Sequence, residues 1–286
     1  YRLNKRAGAL ISQQKQYVEL QRDKLQIQNN IIEEKKKEIL DSINYAQRIQ
    51  QAILPPLEEM EKQFPESFVF YKPKDIVAGD FYWIEVLRHP DSYRDQDDGD
   101  GQIDCVLIAA ADCTGHGVPG AFMSLLGKEN LDKSLITSSS PAGILMELNK
   151  NIKKALKQNA NENATRDGMD IALVKIQGHN VWYSGANRPL WIKRKNTEQI
   201  EEIKATKSAI GGFTEDSQIF IEHYIKLEKV DSIYLFTDGY PDQFGGEKHK
   251  KLTSKKFKEI LQNNSDRDMN YQKQYLKEFI ANWCDG

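Results

Sequence analysis

The sequence predicts an α+β protein with antiparallel sheets, preceded by one long helix. From residue 1 to residue 53 the chain has no proline and a single glycine, Gly8, and it is rich in Gln, Lys and Glu. From about Phe68 onward, short β-rich runs follow one another, and the helix-forming segments are grouped between and after them. Strands in succession with grouped helices favour antiparallel layers over a doubly wound parallel sheet.

The first helix carries an apolar residue at every seventh position. The series is Ile11, Val18, Leu25, Ile32, Ile39, Ala46 and Ile53. Such a repeat predicts a coiled-coil seam and therefore a homodimer through this helix. The second seam position is polar, with Gln14, Gln21 and Gln28, so a solvated single helix stays open as an alternative.

Pro55 and Pro56 predict the end of this helix. Its last turns carry a denser apolar face, which we expect to pack on the domain that follows: Ile43, Ala46, Ile49 and Ile53. We therefore divide the chain into a helical linker or transmitter, residues 1–56, and a globular domain, residues 57–286.

Alternating and apolar runs in the globular domain predict eight strands. They are "FVFYKP", "DFYWIEVL", "CVLIAAAD", "DIALVKI", "NVWYSGA", "PLWIKR", "IFIEHYIKL" and "SIYLFTD". Helices are predicted from Pro119 to about Gln158, with a break at Pro141, and from Ser254 to Trp283. The stretch "HPDSYRDQDDGDGQID" is an acidic loop that lacks the spacing of a calcium-binding EF-hand, so we interpret it as a mobile insertion.

Charge and cysteine content argue against a nucleic-acid-binding protein and against a disulfide-stabilised secreted protein. The formal net charge is -2, without the basic field that nucleic-acid binding requires. Three cysteines argue against a disulfide framework and favour a reducing, cytoplasmic compartment. No apolar run is long enough to cross a bilayer. Because the first residue is Tyr1 rather than Met, we expect this sequence to be a piece of a longer protein. As a transmitter, the long helix would join the globular domain to an upstream sensor domain in the same chain.

Three predicted strands meet an aspartate beside glycine. Asp80 lies in "IVAGDFYWI", Asp112 in "LIAAADCTGHG" and Asp238 in "IYLFTDGYPDQFGG". Carboxylates at sheet ends, with glycines that let the backbone approach, suit a hard divalent cation. Each alone has a simpler explanation, since Asp-Gly is a turn signal and an aspartate before a helix can be a cap. Their occurrence together in one domain favours a metal site.

These stretches resemble the SpoIIE-type branch of the metal-dependent protein phosphatase (PPM) family. The motifs stand in family order as "AGDFYWI", "AADCTGHGVPGAFMSLLG", "YSGANRPLWI" and "YLFTDGYPDQFGG", and "SINYAQRIQQAILPP" resembles the linker that often precedes such domains. The resemblance implies two antiparallel sheets packed face to face with helices outside. It also implies hydrolysis of phosphoserine or phosphothreonine on a protein, with an anti-anti-sigma-type regulator as substrate.

The resemblance further implies two Mn²⁺ or Mg²⁺ ions that activate a water. Asp112 would bridge both ions, Asp80 and the backbone carbonyl of Cys113 would complete one shell, and Asp238 would bind the other ion. The family has one more aspartate on a last strand, which "ANWCDG" lacks. We expect that strand to follow beyond this sequence. Two alternatives stay open, a catalytically weak or inactive pseudo-phosphatase that serves dimerisation and partner binding, and a hydrolase of small phosphoesters.

Five further polar residues near these motifs have simpler interpretations. His116 is assigned to the turn or to solvent, and Asp242 to holding its loop. Cys113 is disfavoured as a nucleophile, because "CTGHGVPG" has no arginine to close a phosphate cradle. Arg188 is assigned to a surface ion pair and left out of the catalytic set. Asp75 either orients metal-bound waters or forms a turn.

The tryptophans on strands are expected in the core, namely Trp83, Trp182 and Trp191.

Overall fold

The computed structural model describes residues 2–88, 103–159 and 164–285, with side chains from residue 13 onward except that of Ile103. Contacts divide the chain into two compact units, Tyr1–Ile49 and Gln50–Gly286. The acidic segment interpreted as a mobile insertion lies, for residues 89–102, outside the described residues. The division predicted after residue 56 stays a prediction.

The smaller unit is part of one uninterrupted helix, α1 (Arg2–Ile53), as the absence of proline predicted. Four described members of the apolar series that recurs every seven residues lie on its surface. Val18, Leu25, Ile32 and Ile39 are 57–63% exposed. Within the described residues, these side chains therefore remain open to solvent, and the coiled coil stays a prediction.

The larger unit continues from the last turn of α1 through five helices and eleven strands among the described residues. The helices are α2 (Leu57–Gln63), α3 (Gly117–Thr137), α4 (Pro141–Ala155), α5 (Ser254–Asn264) and α6 (Met269–Asp285). The first strands are β1 (Phe81–Arg88), β2 (Ile103–Cys113), β3 (Gly168–Gln177), β4 (Asn180–Ala186), β5 (Leu190–Lys193) and β6 (Ile200–Ile203). The remaining strands are β7 (Ile210–Gly211), β8 (Glu222–Lys226), β9 (Ser232–Tyr234), β10 (Phe244–Gly245) and β11 (Lys250–Lys251).

The strands form antiparallel sheets. The main sheet has the order β1-β2-β3-β4-β8, with β7 paired to β3. A second sheet has the order β6-β5-β9, and β10 pairs with β11. The prediction of an α+β fold with antiparallel sheets is confirmed.

Alternation along β3 shows how the layers stack, because successive side chains of a strand point to opposite faces. Ile171 and Leu173 face α3 and α4, in a cluster with Leu131 and Leu148. The alternate β3 residues Ala172 and Val174 face the second sheet, where they share a cluster with Leu190 and Ile192 of β5. The far side of the second sheet is covered by α5 and α6 in a cluster that includes Trp191, Phe257, Leu276 and Ile280. The two sheets thus pack face to face between helices.

Two strand predictions need correction. The run "FVFYKP" at residues 68–73 forms no strand, although its side chains alternate: Phe68 and Phe70 pack in the cluster of α5 and α6, and Val69 packs beside Met60. The last predicted strand ends at Tyr234, so that Thr237 and Asp238 leave the ladder. Among the described residues, no helix combines the length and apolar character needed to span a bilayer.

Candidate metal centre

The structure brings the three predicted aspartates together from separate segments. Asp80 directly precedes β1, Asp112 is the penultimate residue of β2, and Asp238 follows β9. The hydroxyl of Thr237 donates a hydrogen bond to Asp80 Oδ2 at 2.6 Å. The guanidinium of Arg188 donates to both Asp112 and Asp238. Residues far apart in sequence therefore form one acidic cluster.

A fourth aspartate, Asp170, belongs to this cluster and was not among the predicted site residues. The ladder pairs Asp112 on β2 directly with Asp170 on β3. Asn187 Nδ2 donates to Asp170 Oδ1 at 2.8 Å, and Asp170 Oδ2 lies 3.5 Å from Arg188 Nη2. The sequence contained a signal for Asp170. The strand predicted as "DIALVKI" begins with this carboxylate, and in an antiparallel pair the start of one strand lies beside the end of the strand before it, here at Asp112.

Arg188 is not in a surface ion pair, so that interpretation was wrong. Its side chain is only 13% exposed, and its Nη2 lies 2.7 Å from Asp238 Oδ2 and contacts Asp112 Oδ2. The turn before it is possible because Asn187 adopts φ +58°, a conformation that asparagine tolerates. Arg188 Nε is buried and has no hydrogen-bond partner among the described residues. The guanidinium is therefore the internal cation of the acidic cluster.

Burial and mutual repulsion within the cluster disfavour the ionised form of Asp112. Burial, followed by the charges of Asp80 and Asp238, raises the pKa of Asp112 to about 8, and Arg188 opposes this shift. Burial acts to lower the pKa of Arg188, but Asp238, Asp112 and Asp170 raise it above its usual value, so the guanidinium stays charged. One cation among four carboxylates leaves an excess of negative charge, which a divalent cation would offset.

The donor set fits a hard divalent cation, because carboxylate and carbonyl oxygens are the ligands such ions prefer. In their present positions, however, the described side chains are not arranged around a common metal position. Within the described residues, no three His, Cys, Asp or Glu side chains are arranged to hold a metal ion. Arg188 Nη2 is instead bonded to both Asp112 and Asp238. The ligand roles of Asp80, Asp112, Cys113 and Asp238 accordingly remain predictions.

Cys113 ends β2 with its side chain buried. Burial, then the charges of Asp112 and Asp80, raises the pKa of its thiol well above the usual value. A protonated, buried thiol is a poor nucleophile. This environment supports the prediction that Cys113 does not attack phosphorus, and it leaves the backbone carbonyl as the group of this residue available to a cation.

Glycines hold the backbone of the site together. Gly115 and Gly117 in "TGHG" have φ of +85° and +60°, which side chains other than glycine rarely adopt. A Cβ on Gly79 would lie 2.7 Å from the carbonyl oxygen of Gly115, and a Cβ on Gly120 would lie 2.6 Å from the same atom. The segment before Asp80, the turn after Asp112 and the first turn of α3 are thus in direct backbone contact.

The remaining polar residues lie at the edge of the site. The side chain of His116, directly before α3, is 81% exposed, and its Nδ1 lies 3.0 Å from Oδ2 of Asp75, which lies in the exposed bend before β1. Asp242 holds its loop as predicted, since its N–H donates to the carbonyl of Asp238 and its carboxylate pairs with Lys251 Nζ at 2.6 Å.

The strand tryptophans are not all in the core. Trp83 and Trp191 are buried as predicted, with 1% and 2% of their surface exposed. Trp182 is half-buried, lies beside Tyr224 with ring centroids 5.5 Å apart, and has Lys175 Nζ over its ring. It contributes to a partly solvated face of the main sheet.

Comparisons with known proteins agree with this architecture. The family model described as Stage II sporulation protein E (SpoIIE) matches residues 103–286, more than half of the chain. The SiaA-PP2C domain of Pseudomonas aeruginosa is similar in structure, with a TM-score of 0.70 and 29% identity over 87% of this chain and 92% of that one. The PP2C phosphatase domain of SpoIIE from Bacillus subtilis, solved with a fragment of its regulatory domain, shares the fold at 18% identity.

That second match has a TM-score of 0.51 and covers 71% of this chain and 53% of the Bacillus chain. A search of curated proteins gave no match. The family match rests on the segment that holds Asp112, Asp170, Arg188 and Asp238. The chain belongs to the SpoIIE family and has the fold of PP2C-type (PPM) phosphatase domains.

Proposed function

We propose that this chain is the output domain of a signalling protein and acts as a metal-dependent protein serine/threonine phosphatase. The observation that carries the proposal is the cluster of Asp80, Asp112, Asp170 and Asp238, in which Arg188 contacts the last three. Membership of the SpoIIE family supports the reaction class.

Asp80, Asp112, Asp238 and the carbonyl of Cys113 would hold two Mn²⁺ or Mg²⁺ ions. Bound ions of this kind supply Lewis acidity and lower the pKa of water, which suits attack on a phosphoester. The chain's own residues prepare the site. Thr237 fixes one oxygen of Asp80 by its hydrogen bond, and Asn187 fixes one oxygen of Asp170. Both contacts restrict the rotation of carboxylates that would otherwise repel one another.

Arg188 has two roles in this proposal. Its charge favours the ionised form of Asp112, the form that a cation needs as a ligand. Its guanidinium also offers a planar fork of donors that matches phosphate oxygens. We expect Arg188 to contact the phosphoryl group of a substrate whenever divalent cations replace it between the aspartates.

The substrate class and partners follow from family resemblance and charge. We propose a phosphoserine or phosphothreonine on a protein regulator, of the anti-anti-sigma type, and no nucleic acid. We further propose a homodimer through α1 and an upstream sensor domain in the same chain, in the cytoplasm. The exposed side chains of Val18, Leu25, Ile32 and Ile39, spaced seven residues apart on α1, support the dimer.

One observation favours a second candidate, a pseudo-phosphatase that acts by dimerisation and partner binding. Arg188 is bonded to both Asp112 and Asp238, and among the described side chains no group is ready to hold a metal. A protein that keeps this arrangement at millimolar divalent cation would have the fold without the activity.

Metal binding and activity, measured on the same protein, separate the two candidates. Isothermal titration with Mn²⁺ should show binding, and phosphate release from a phosphoserine peptide should require Mn²⁺, stop with EDTA and return when Mn²⁺ is restored. A folded protein that binds no Mn²⁺ at millimolar concentration and releases no phosphate would support the pseudo-phosphatase. Phosphate release that EDTA does not affect would exclude the metal-dependent mechanism.

A further inference from the structure

Gln50, in the last turn of α1, is a buried polar residue whose side-chain amide makes three hydrogen bonds. Only 6% of it is exposed. Its Nε2 donates to the carbonyl of Ala78 at 2.7 Å and to Ser124 Oγ at 2.8 Å. Its Oε1 accepts from the N–H of Ala78 at 3.0 Å. One side chain therefore satisfies both backbone groups of Ala78, in the way that a neighbouring strand would.

The segment that Gln50 holds leads directly to a predicted metal ligand. Ala78 is two residues before Asp80 and lies outside the strands, so β-ladder hydrogen bonds do not fix it. Gly79 follows, pressed against the carbonyls of Gly115 and Cys113. The chain from Ala78 to Asp80 is thus clamped by Gln50 on one side and by the turn after Asp112 on the other.

The third hydrogen bond connects the same amide to the helix that follows that turn. Ser124 is buried on α3, and its hydroxyl donates onward to the carbonyl of Ala121. Gln50 therefore contacts both segments whose backbones meet at Gly79 and Gly120. A displacement of its amide would alter the position of Asp80 relative to Asp112.

We propose that Gln50 is a positioning residue, which sets the place of Asp80 in the metal site by holding the backbone of Ala78. This inference rests on the proposed function, because it takes Asp80 as a metal ligand. Gln50 touches no reacting group itself. Its loss should therefore weaken metal binding more than it lowers the rate of the metal-saturated protein.

The neighbouring residue supplies a matched control. Gln51 has the same side chain on the same helical turn, but it is exposed. Gln50→Met keeps most of the side-chain volume and removes all three hydrogen bonds, whereas Gln51→Met makes the same chemical change in solvent. Both variants would be made in the full chain.

Two measurements test the proposal. Hydrogen–deuterium exchange without added metal should be at least tenfold faster for the peptide covering residues 76–81 in Gln50→Met, because the N–H of Ala78 loses its acceptor. Isothermal titration should show a Kd for Mn²⁺ at least fivefold weaker, with kcat near the wild-type value at saturating Mn²⁺. Gln51→Met should match the wild type in both measurements.

Several results would overturn the proposal. A folded Gln50→Met with an unchanged Kd for Mn²⁺, even with a lower melting temperature, would make Gln50 a structural residue only. If that variant does not fold, Gln50→Asn keeps a side-chain amide but draws it back from Ala78 by one methylene, and a Kd unchanged within error would have the same meaning. Absence of Mn²⁺ binding by the wild type would overturn the proposed function together with this inference. Wild-type binding with an unaffected Gln50→Met would overturn this inference alone.

Discussion

Asp112 and Asp170 lie directly opposite each other on adjacent antiparallel strands. Like charges in such a cross-strand pair destabilise a sheet unless a cation compensates them. Arg188 is in contact with both carboxylates and with Asp238, and it enters from the turn between β4 and β5. The end of the main sheet therefore depends on a compensating cation, and among the described residues Arg188 supplies it.

The first prediction concerns Asp112, the proposed bridging ligand. Asp112→Asn should abolish Mn²⁺-dependent phosphate release from a phosphoprotein, because both ions lose a shared ligand. The melting temperature without metal should change little, since the variant removes a carboxylate already disfavoured by burial and by its neighbours. Asp242→Asn, which alters a loop carboxylate paired with Lys251, is the control and should stay active. Full activity of Asp112→Asn would be incompatible with the metal site.

The second prediction concerns the internal cation. Arg188→Met removes the cation that contacts the partly buried carboxylates of Asp112, Asp170 and Asp238, so the free energy of unfolding in EDTA should fall by about 1–3 kcal/mol. Saturating Mn²⁺ should largely remove this difference. An ion that binds the folded state stabilises it, and in the variant the ion does not have to displace a guanidinium, so the variant gains more stability from Mn²⁺ than the wild type. Urea unfolding with EDTA and with Mn²⁺ measures both values. An equal loss under the two conditions would show that Arg188 does not compete with metal.

Arg188→Lys is the conservative companion of that variant. It keeps the positive charge but lacks the planar fork that reaches several carboxylates at once. Its stability in EDTA should therefore lie between those of the wild type and Arg188→Met.

The third prediction concerns cysteine chemistry. Cys113→Ser should retain most of the activity, because the thiol is buried and its pKa is raised by burial and by Asp112. In the folded protein, iodoacetamide should modify Cys284, which is exposed, and spare Cys105 and Cys113, which are buried. Peptide mass spectrometry after a short reaction reads out the three sites, and activity should survive. Detection of a phosphocysteine during turnover would place the protein in another class of phosphatase.

The fourth prediction concerns the long helix. Leu25→Asp with Ile32→Asp should convert a dimer into a monomer, because charges then occupy two seam positions that are 57% and 60% exposed in the single chain. Light scattering gives the mass, and the phosphatase rate of the same samples shows whether the helix transmits a signal. Asn30→Asp with Lys37→Asp changes exposed positions away from the seam and should leave the dimer intact.

The outcome for the wild type is equally informative. A monomer at tens of micromolar, or a monomeric variant with an unchanged rate, would make the helix a spacer rather than a transmitter. A monomeric variant with an altered rate would support coupling between helix pairing and catalysis.

Features that depend on local sequence could be predicted. α1 ends at Ile53 because Pro55 and Pro56 cannot continue it, and α4 starts at Pro141, a residue suited to the first turn of a helix. The three aspartates beside glycine were also recognisable, because strand ends and tight turns have local signatures. The structure brings them into one cluster with Arg188, a cation predicted from the sequence to lie in a surface ion pair.

Features that depend on strand pairing could not be predicted in the same way. Asp170 joins the site through the register of β2 and β3, and the alternation of a strand does not identify its partner. Arg188 looked like an ordinary surface arginine until the turn at Asn187 placed it among carboxylates. The run at residues 68–73 has the alternation of a strand but pairs with none, since packing alone produces the same pattern.

The meeting of Gly79 and Gly120 at one carbonyl oxygen limits how this site can evolve. Alanine, the smallest possible replacement, would already bring a methyl group to 2.7 or 2.6 Å from Gly115 O, so no series of gradual steps leads away from glycine. A saturation library at either position, selected for phosphatase activity, should return glycine alone. We therefore expect active variants of this chain to differ in the side chains around the turn and to keep both glycines, and with them the spacing between the three backbone segments.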